Sequence, residues 1–208
     1  MRRSLLVLGI LLGPGLGAVT GDPLGSRSNQ AGVVTSIEPG VWEVGLESLI
    51  VVGYDQQGDA TQLHSTLIGG LAVRRFVRQN LALGVELSGF YRRVRPDQSD
   101  YGVMAAPALR YSVRLGEGLF LAPGLAAGVL YGVRDVPGAE AGMVDRSTLI
   151  GGFGRIGLPL VFYASPRFDI QAGPEILISA GQTRPDQGTP ANFLNLDGGF
   201  NVGCAYFF

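Results

Sequence analysis

Hydrophobic and polar residues alternate with a period of two from about residue 41 to the C-terminus. Near the start of this region Trp42 and Val44 share one parity, whereas Glu43 and Glu47 share the other. Successive side chains of a β-strand point to opposite faces, so the pattern predicts strands with one apolar and one polar face. Most segments run longer than the ~5–6 residues of an average soluble strand, and a tilted strand of ~9–11 residues crosses a bilayer.

The connections between these segments predict how the strands are arranged. Long connections are expected near 53–64, 95–100, 135–146 and 181–192, and short ones near 78–80, 116–118 and 165–167. Together they join eight strands, and a sheet in lipid must close because an open edge leaves backbone groups unpaired. The fold class is therefore all-β, an eight-stranded antiparallel up-and-down transmembrane β-barrel with long external loops and short periplasmic turns.

Two segments alternate less clearly than the others. In 66–77 and 147–163 the phase slips around Gly69–Gly70 and Gly151–Gly152. Because an extra residue in one strand reverses its faces, these glycine pairs predict β-bulges, and the inward and outward assignments there are weak.

The first residues have the organisation of an export signal. Arg2 and Arg3 precede an apolar run at 5–12, and small residues follow it. Residues 1–21 are therefore predicted to be a signal peptide, cleaved after Ala18 or after Gly21. Residues 22–39 are polar and predict a periplasmic linker, which leaves 40–208 for the barrel.

Composition narrows the range of partners and chemistries. The 16 basic and 17 acidic residues nearly balance, and no basic block suggests a nucleic-acid partner. Mean hydropathy is +0.26 although no apolar run suits a spanning helix, and glycine is abundant at 33 residues. Cys204 is the only cysteine and forms no internal disulfide, so an inert buried or lipid-facing thiol is expected.

Charged residues occupy the parity opposite to the apolar face. An eight-stranded barrel has an interior just wide enough for side chains, and buried charges are costly unless they are paired. We therefore expect a lumenal charge network formed by Glu43, Glu47, Glu86, Arg92, Arg110, Arg114, Arg134, Asp169, Glu175 and Asp197, with Arg74 and Arg155 as further members. The alternative use of these charges is a narrow ion path.

Aromatic residues cluster near the ends of the predicted strands. Amphipathic rings favour the headgroup level of a membrane. The predicted membrane-interface aromatics are Trp42, Phe168, Tyr206 and Phe208 at the periplasmic rim, and Tyr54, Tyr91, Tyr101 and Tyr131 at the outer rim.

The last eight residues, Asn-Val-Gly-Cys-Ala-Tyr-Phe-Phe, end in an aromatic residue preceded by alternate apolar positions. This run resembles the terminal signal of bacterial outer-membrane proteins. Residues 40–208 resemble the small-barrel group that includes the OmpA transmembrane domain, OmpX and porin-like proteins. The resemblance implies a location in the bacterial outer membrane, contact with outer-membrane lipids, and recognition of the C-terminal strand by the barrel-assembly machinery.

No residue pattern predicts catalysis, a metal site or a cofactor. His64 is the only histidine and adjoins Ser65, but neighbours on a strand face opposite ways, so the two do not form a nucleophile–base pair. A surface position at the end of an outer loop is expected for His64.

The sequence therefore predicts a non-enzymatic outer-membrane barrel with a structural, adhesive or loop-binding role and a lumen filled by side chains. One alternative is a narrow transporter of ions or small apolar solutes. Another is a soluble periplasmic, lipocalin-like barrel, whose apolar face would point inward around a ligand.

Overall fold

A computed structural model describes residues 34–57, 60–95, 98–137, 144–186 and 189–208. The strands are β1 (Trp42–Gln57), β2 (Ala60–Arg78), β3 (Leu81–Arg95), β4 (Gln98–Tyr111), β5 (Val113–Gly116), β6 (Leu119–Leu121), β7 (Gly124–Pro137), β8 (Val144–Gly157), β9 (Leu160–Ser165), β10 (Phe168–Pro185) and β11 (Ala191–Phe207). Among these residues there is no helix long and apolar enough to cross a membrane.

The strands form a closed antiparallel ring. Its order is β1–β2–β3–β4–β7–β8–β10–β11, and β11 pairs with β1 along almost its whole length. The short strands β5, β6 and β9 continue β4, β7 and β8 at one end, so the wall consists of eight barrel strands. The predicted fold class, an eight-stranded up-and-down barrel, is confirmed.

Two of the strand interruptions coincide with prolines, which have no N–H to donate to a ladder. Pro123 separates β6 from β7, and Pro159 lies between β8 and β9. Their carbonyl groups still accept hydrogen bonds, from Tyr111 N to Pro123 O at 3.0 Å and from Ala122 N to Pro159 O at 2.9 Å. The wall therefore stays closed across both prolines.

The register of the ring fixes the tilt of its strands. Following paired residues around the barrel from Glu43 leads back to β1 at Gly53, ten residues farther along. With a rise of ~3.3 Å per residue and a strand spacing of ~4.8 Å, this stagger gives a tilt of about 40°, within the usual range for barrels.

The two glycine pairs are not bulges. Pairing of β2 with both neighbours is continuous through Gly69–Gly70, and pairing of β8 is continuous through Gly151–Gly152. The prediction of a phase slip at these pairs is therefore wrong. The alternation looked broken because some apolar residues, such as Phe153, point into the lumen. They change the polarity pattern along the strand without changing its geometry.

The predicted short turns are found within one residue of their expected positions, after β2, β5 and β9. Asn80 and Gly118 have φ of 62° and 65° in two of them, the left-handed conformation that Asn and Gly adopt most readily. This end of the barrel, which also carries residues 34–42 and the C-terminus, is called the terminal end below. The opposite end is called the hairpin end.

The prediction of four long loops at the hairpin end is wrong for most of their length. β1 ends at Gln57 and β2 begins at Ala60, and β3 ends at Arg95 before β4 begins at Gln98. Residues expected in loops continue the strand ladders instead. Hydrogen bonding between adjacent strands needs no apolar face, so the hairpins extend beyond the part of the wall that alternates strongly.

The described part of the predicted linker packs onto the barrel. Two hydrogen bonds hold it there: Ile37 N donates to Asn80 Oδ1 at 2.9 Å, and Asn80 N donates to Ile37 O at 3.0 Å. Val34, Ile37 and Val41 are buried at the terminal end. The predicted signal peptide, 1–21, and residues 22–33 lie outside the described residues.

Candidate functional site

The lumen is the candidate site, and its side chains form layers along the barrel axis. On β2, Phe76 lies at the terminal end, Arg74 follows, Ile68 lies near the middle and His64 lies toward the hairpin end. All four point inward and are buried. Their order, apolar, ionic, apolar and ionic, recurs around the barrel.

The first layer, the floor cluster, closes the terminal end. It consists of Val34, Ile37, Val41, Phe76, Ala82, Phe120, Ala122, Val161, Tyr163, Ala205 and Phe207. The ring centroid of Tyr163 lies 5.3 Å from that of Phe120 and 5.4 Å from that of Phe207. The centroids of Phe207 and Phe76 are 6.4 Å apart. Such spacings are typical of packed aromatic pairs, so this end is filled by side chains.

The second layer, the lower network, is centred on Arg74. Its members are Glu43, Glu47, Arg74, Glu86, Arg110, Arg155, Asp169, Gln171, Glu175 and Asn201. The Arg74 guanidinium contacts Glu43 Oε1 at 2.7 Å, Glu47 Oε1 at 2.6 Å and Glu86 Oε1 at 2.5 Å. One buried cation on β2 thus pairs with three carboxylates on its two neighbouring strands, β1 and β3.

Two further arginines complete the lower network. Arg155 contacts Glu86, Glu47 Oε2 at 3.0 Å and Glu175 Oε1 at 3.2 Å. Arg110 contacts Glu43 Oε2 at 2.8 Å and donates to Gln171 Oε1 at 3.0 Å. Charges removed from water are tolerated when they are paired in this way, and the interlocked pairs tie opposite sides of the wall together.

The third layer, the apolar band, separates the lower network from the hairpin end. It contains Leu49, Val51, Ile68, Phe90, Met104, Ala106, Ala108, Ala126, Leu130, Leu149, Phe153, Leu177 and Phe193. Inward glycines make room for its rings: a Cβ at Gly102 would lie 2.8 Å from Phe90 Cε1, and one at Gly132 would lie 3.0 Å from Phe90 Cζ. The Phe90 ring therefore fills space that neighbouring side chains would otherwise occupy.

The fourth layer, the upper network, contains His64, Thr66, Arg92, Asp100, Arg134 and Asp197. Arg134 binds Asp100 through two parallel contacts of 2.7 Å, Nε to Oδ1 and Nη2 to Oδ2. Asp197 contacts His64 through Nε2 and Arg92 at 3.6 Å. The bidentate pairing of Arg134 with Asp100 fixes the geometry of this buried guanidinium.

Nine of the ten residues predicted for the lumenal charge network lie in these two networks, and Arg74 and Arg155 join them. Arg114 is the exception: it is exposed, and its Nε donates to Gly116 O at 3.2 Å. Its parity matches that of Arg110, but β5 continues beyond the floor cluster. A residue of inward parity at that height faces the rim and not the lumen.

Two ionisable members of the upper network were missed from the sequence. Asp100 was expected in a loop, and the prediction of a surface position for His64 is wrong, since both side chains are buried. Parity alone could have found them, because Asp100 is in phase with Arg110 and His64 with Arg74. Because both residues were assigned to loops, their inward parity was not taken into account.

The outer face of the wall carries the apolar parity. All eight predicted interface aromatics are exposed: Trp42, Phe168, Tyr206 and Phe208 toward the terminal end, and Tyr54, Tyr91, Tyr101 and Tyr131 toward the hairpin end. Aliphatic residues between them are also exposed, as Val129 is at 66%. A lipocalin-like barrel would turn this face inward, so the orientation observed is that of a barrel surrounded by lipid.

Among the residues that the structure describes, the lumen leaves little space for a ligand. A cavity of about 30 Å³ lies between Glu47, Arg110 and Glu175, enough for about one water molecule. Within the described ranges, no group of three or more His, Cys, Asp or Glu residues could hold a metal ion.

No family model matches the sequence, and no curated protein matches it significantly. Among solved structures, Neisserial surface protein A is 15% identical with a TM-score of 0.51, over 80% of this chain and 98% of that one. Ail of Yersinia pestis is 14% identical with a TM-score of 0.47, over 83% and 100%. The outer-membrane protease OmpT of Escherichia coli is 9% identical with a TM-score of 0.48, over 82% and 97%. The closed eight-stranded ring, together with the match to Neisserial surface protein A, shows that the chain has the fold of the small outer-membrane β-barrels.

Proposed function

We propose that the protein resides in the bacterial outer membrane as a closed, non-conducting and non-enzymatic barrel. It anchors its hairpin end at the cell surface for a structural or adhesive role. The observation that carries the proposal is the alternation of two apolar and two ionic layers across the whole lumen.

The layers support a closed barrel in two ways. Phe76, Phe120 and Phe207 are completely buried in the floor cluster, and Leu177 is 1% exposed in the apolar band. An ion crossing the lumen would have to leave water at both layers, which is costly. The ionic groups between the layers bind one another, so they stabilise the wall instead of offering a path.

The outer face supports the membrane location and the orientation. Two groups of exposed aromatic residues flank an apolar zone, as expected where rings meet both headgroup regions. The strands extend beyond the apolar zone at the hairpin end, whereas the terminal end has two-residue turns close to it. This difference supports a periplasmic terminal end and an external hairpin end. Export by the predicted signal peptide and insertion through recognition of the C-terminal strand by the barrel-assembly machinery belong to this proposal.

The geometry around His64 supports the absence of catalysis. Its Nε2 contacts Asp197, which resembles the orienting pair of some hydrolases, but Ser65 lies on the opposite face of β2. A nucleophile–base pair requires the hydroxyl within hydrogen-bond reach of the imidazole. The contact instead joins β2 to β11 within the upper network.

Labelling of single cysteines tests location and orientation. In a Cys204→Ser background, Thr189→Cys at the hairpin end is expected to react with a membrane-impermeant maleimide on intact cells. Arg167→Cys in a terminal-end turn is the matched control, expected to react only after the outer membrane is permeabilised. Equal labelling of both on intact cells, or of neither until lysis, would contradict the proposal.

Planar-bilayer recordings test closure. The purified barrel, shown to be folded by a heat-dependent change in gel mobility, is expected to give no conductance above that of lipid alone. Reproducible steps proportional to voltage would overturn the closed barrel and favour the narrow transporter.

A further inference from the structure

The two ionic layers of the lumen differ in their balance of acidic and basic groups. The upper network joins two arginines to two aspartates, Arg92 and Arg134 with Asp100 and Asp197, and His64 is its remaining titratable side chain. The lower network, within the described residues, has three guanidinium and five carboxyl groups, namely those of Arg74, Arg110, Arg155, Glu43, Glu47, Glu86, Asp169 and Glu175. With every group ionised, it would hold two uncompensated negative charges away from water, which is costly.

The contacts show which carboxyl groups the arginines neutralise. Glu43, Glu47 and Glu86 each contact two guanidinium groups at 3.0 Å or less. Asp169 and Glu175 each contact one guanidinium group, at 3.7 Å and 3.2 Å respectively. A buried carboxyl group without a close cation is less costly as the neutral acid than as the ion. The excess of two carboxyl groups therefore falls on Asp169 and Glu175.

Asp169 has the longest cationic contact of the five carboxyl groups. Its side chain is completely buried, and no side chain donates a hydrogen bond to either of its oxygens. The charged and titratable groups that face it are Arg110 on β4, Arg74 on β2, Glu43 on β1 and Tyr163 on β9. Arg110 Nη2 lies 2.8 Å from Glu43 Oε2, closer than to Asp169 Oδ2. The nearest guanidinium group is therefore already paired with another carboxylate.

Glu175 shares its only arginine with two other carboxyl groups. It is buried, and the charged groups that face it are Arg155 on β8, Glu47 on β1 and Glu86 on β3. Arg155 contacts all three carboxyl groups, so three anions would surround one cation if all were ionised. The remaining partner of Glu175 is uncharged, since Asn201 Nδ2 on β11 donates to its Oε2 at 3.1 Å. A proton on Glu175 relieves the repulsion and leaves this hydrogen bond in place, because a neutral acid still accepts hydrogen bonds.

We propose that the lower network is a binding site for two protons, which Asp169 and Glu175 hold as neutral carboxylic acids at neutral pH. The protons leave three carboxylates for three arginines, so the charges of the layer balance. A monovalent cation would also supply positive charge, but the cavity of about 30 Å³ beside Glu175 is lined by all three guanidinium groups, which repel it. The inference concerns the lumen alone and does not depend on where the barrel resides or whether it conducts.

Asp169 links the protons to the closure of the barrel. Its partners in the neighbouring strands are Tyr163 on β9 and Ala205 on β11, and both belong to the floor cluster. Loss of the proton places a negative charge beside the aromatic rings that close the terminal end. The lower network therefore acts as a pH-sensitive lock, which holds the floor cluster at neutral and mildly acidic pH and loosens it in alkali.

The inference fixes the sign of the pH dependence. Asp169 and Glu175 keep their protons in the folded barrel, whereas carboxyl groups of an unfolded chain release theirs near pH 4. Above that pH the folded state binds more protons than the unfolded state, so the stability that the two groups contribute falls as the pH rises. Each held proton raises the unfolding constant by up to about tenfold per pH unit. Paired carboxylates such as Glu47 have the opposite effect, because their contribution to stability is lost on acidification.

Amide variants distinguish the two kinds of carboxyl group. Asp169→Asn with Glu175→Gln copies the neutral acids, and Glu47→Gln makes the same change at a paired carboxylate as the control. In urea unfolding in vesicles, the unfolding constant of the parent should rise at least tenfold from pH 5 to pH 8. At pH 5 the double variant should match the parent, and Glu47→Gln should unfold at least tenfold more readily. At pH 8 the double variant should be more stable than the parent. All three proteins retain His64, so their differences report on the carboxyl groups.

Infrared spectroscopy at pH 7 detects the protons directly, because the carbonyl stretch of a neutral carboxylic acid is separate from the carboxylate bands. The folded parent should show this band. Asp169→Asn and Glu175→Gln should each remove about half of it, and Glu47→Gln should leave it unchanged. The measurement on the parent requires no variant to fold, and heat-dependent gel mobility shows which variants do.

Three results would overturn the inference. The first is a folded parent without the carbonyl band. The second is equal destabilisation by all the amide variants at pH 5, which would make Asp169 and Glu175 ordinary members of ion pairs. The third is recovery of the parent's stability at pH 8 in sodium or potassium chloride but not in choline chloride, which would identify a bound metal cation in place of the protons.

Discussion

The two faces of the barrel wall use the same residue types for opposite purposes. Two pairs of adjacent glycines show this most directly. At Gly70 a Cβ would lie 2.6 Å from Ser88 Cβ and at Gly199 it would lie 2.2 Å from Val51 Cγ1, whereas at Gly69 and Gly198 it would meet nothing within 4 Å. The inward glycine is required by packing, and its outward neighbour is not.

Arginines differ in the same way between the faces. Arg74 points inward and binds three carboxylates, and Arg75 points outward, with its guanidinium 5.6 Å from the Trp42 ring centroid. Adjacent residues therefore experience a closely packed, ion-paired interior and an adaptable exterior that lipid can fill. Matched inward and outward substitutions measure this difference.

The largest effect is expected for Arg74→Met. It leaves Glu43, Glu47 and Glu86 without their shared cation, and breaking a buried ion pair costs about 3–5 kcal/mol. Arg75→Met is the control and should cost less than about 1 kcal/mol, the size of an exposed cation–π contact. Urea unfolding in lipid vesicles, followed by fluorescence of the single tryptophan, measures both; equal losses would contradict the ionic role of the lumen.

Phe90→Ala should follow closely. Its ring fills the space above Gly102 and Gly132, so truncation leaves a cavity and costs about 3–4 kcal/mol. Phe200→Ala on the outer face leaves no cavity because lipid chains close over the shortened side chain, so it should cost only the lost transfer of the ring into lipid, about 2 kcal/mol. Comparable midpoints of urea unfolding for the two variants would show that the apolar band is loosely packed.

Gly70→Ala and Gly199→Ala should each cost about 1–3 kcal/mol, the usual penalty for overpacking. Gly69→Ala and Gly198→Ala should be neutral or slightly stabilising, since alanine restricts the unfolded chain more than glycine does. The same unfolding assay applies. A destabilised Gly69→Ala would mean that the outer glycines, too, are required by packing.

The smallest difference is expected between two serines. Ser179→Val removes the 3.0 Å hydrogen bond from Asn195 Nδ2 to Ser179 Oγ in the lumen, at a cost of about 1–2 kcal/mol. Ser48→Val on the outer face should change stability by less than about 0.5 kcal/mol. A larger loss at Ser48 would show that its hydroxyl serves the wall itself.

The class of fold could be predicted from the sequence because strand parity is a local property. Alternation assigned Glu43, Glu86, Arg110 and Asp197 to the interior, and the even number of strands followed from counting segments. The terminal-end turns were also located, since Asn and Gly mark the positions that need a left-handed backbone.

The errors arose where polarity was used in place of geometry. Apolar residues inside the lumen made the strands seem to slip at Gly69–Gly70 and Gly151–Gly152, and polar residues near the hairpins were assigned to loops. Asp100 and His64 were lost with those loops, although their parity was inward.

By itself the sequence determined that this chain forms a closed barrel and, through strand parity, most of the charged side chains that point into it. Only the tertiary structure decided which of them meet. The ten-residue stagger of the ring sets the height of each strand against its neighbours, and so brings Arg74 to Glu86 and Arg155 to Glu175. The relative heights of the strands depend on pairings between residues distant in sequence, which no local pattern records. These heights divide the lumen into alternating ionic and apolar layers.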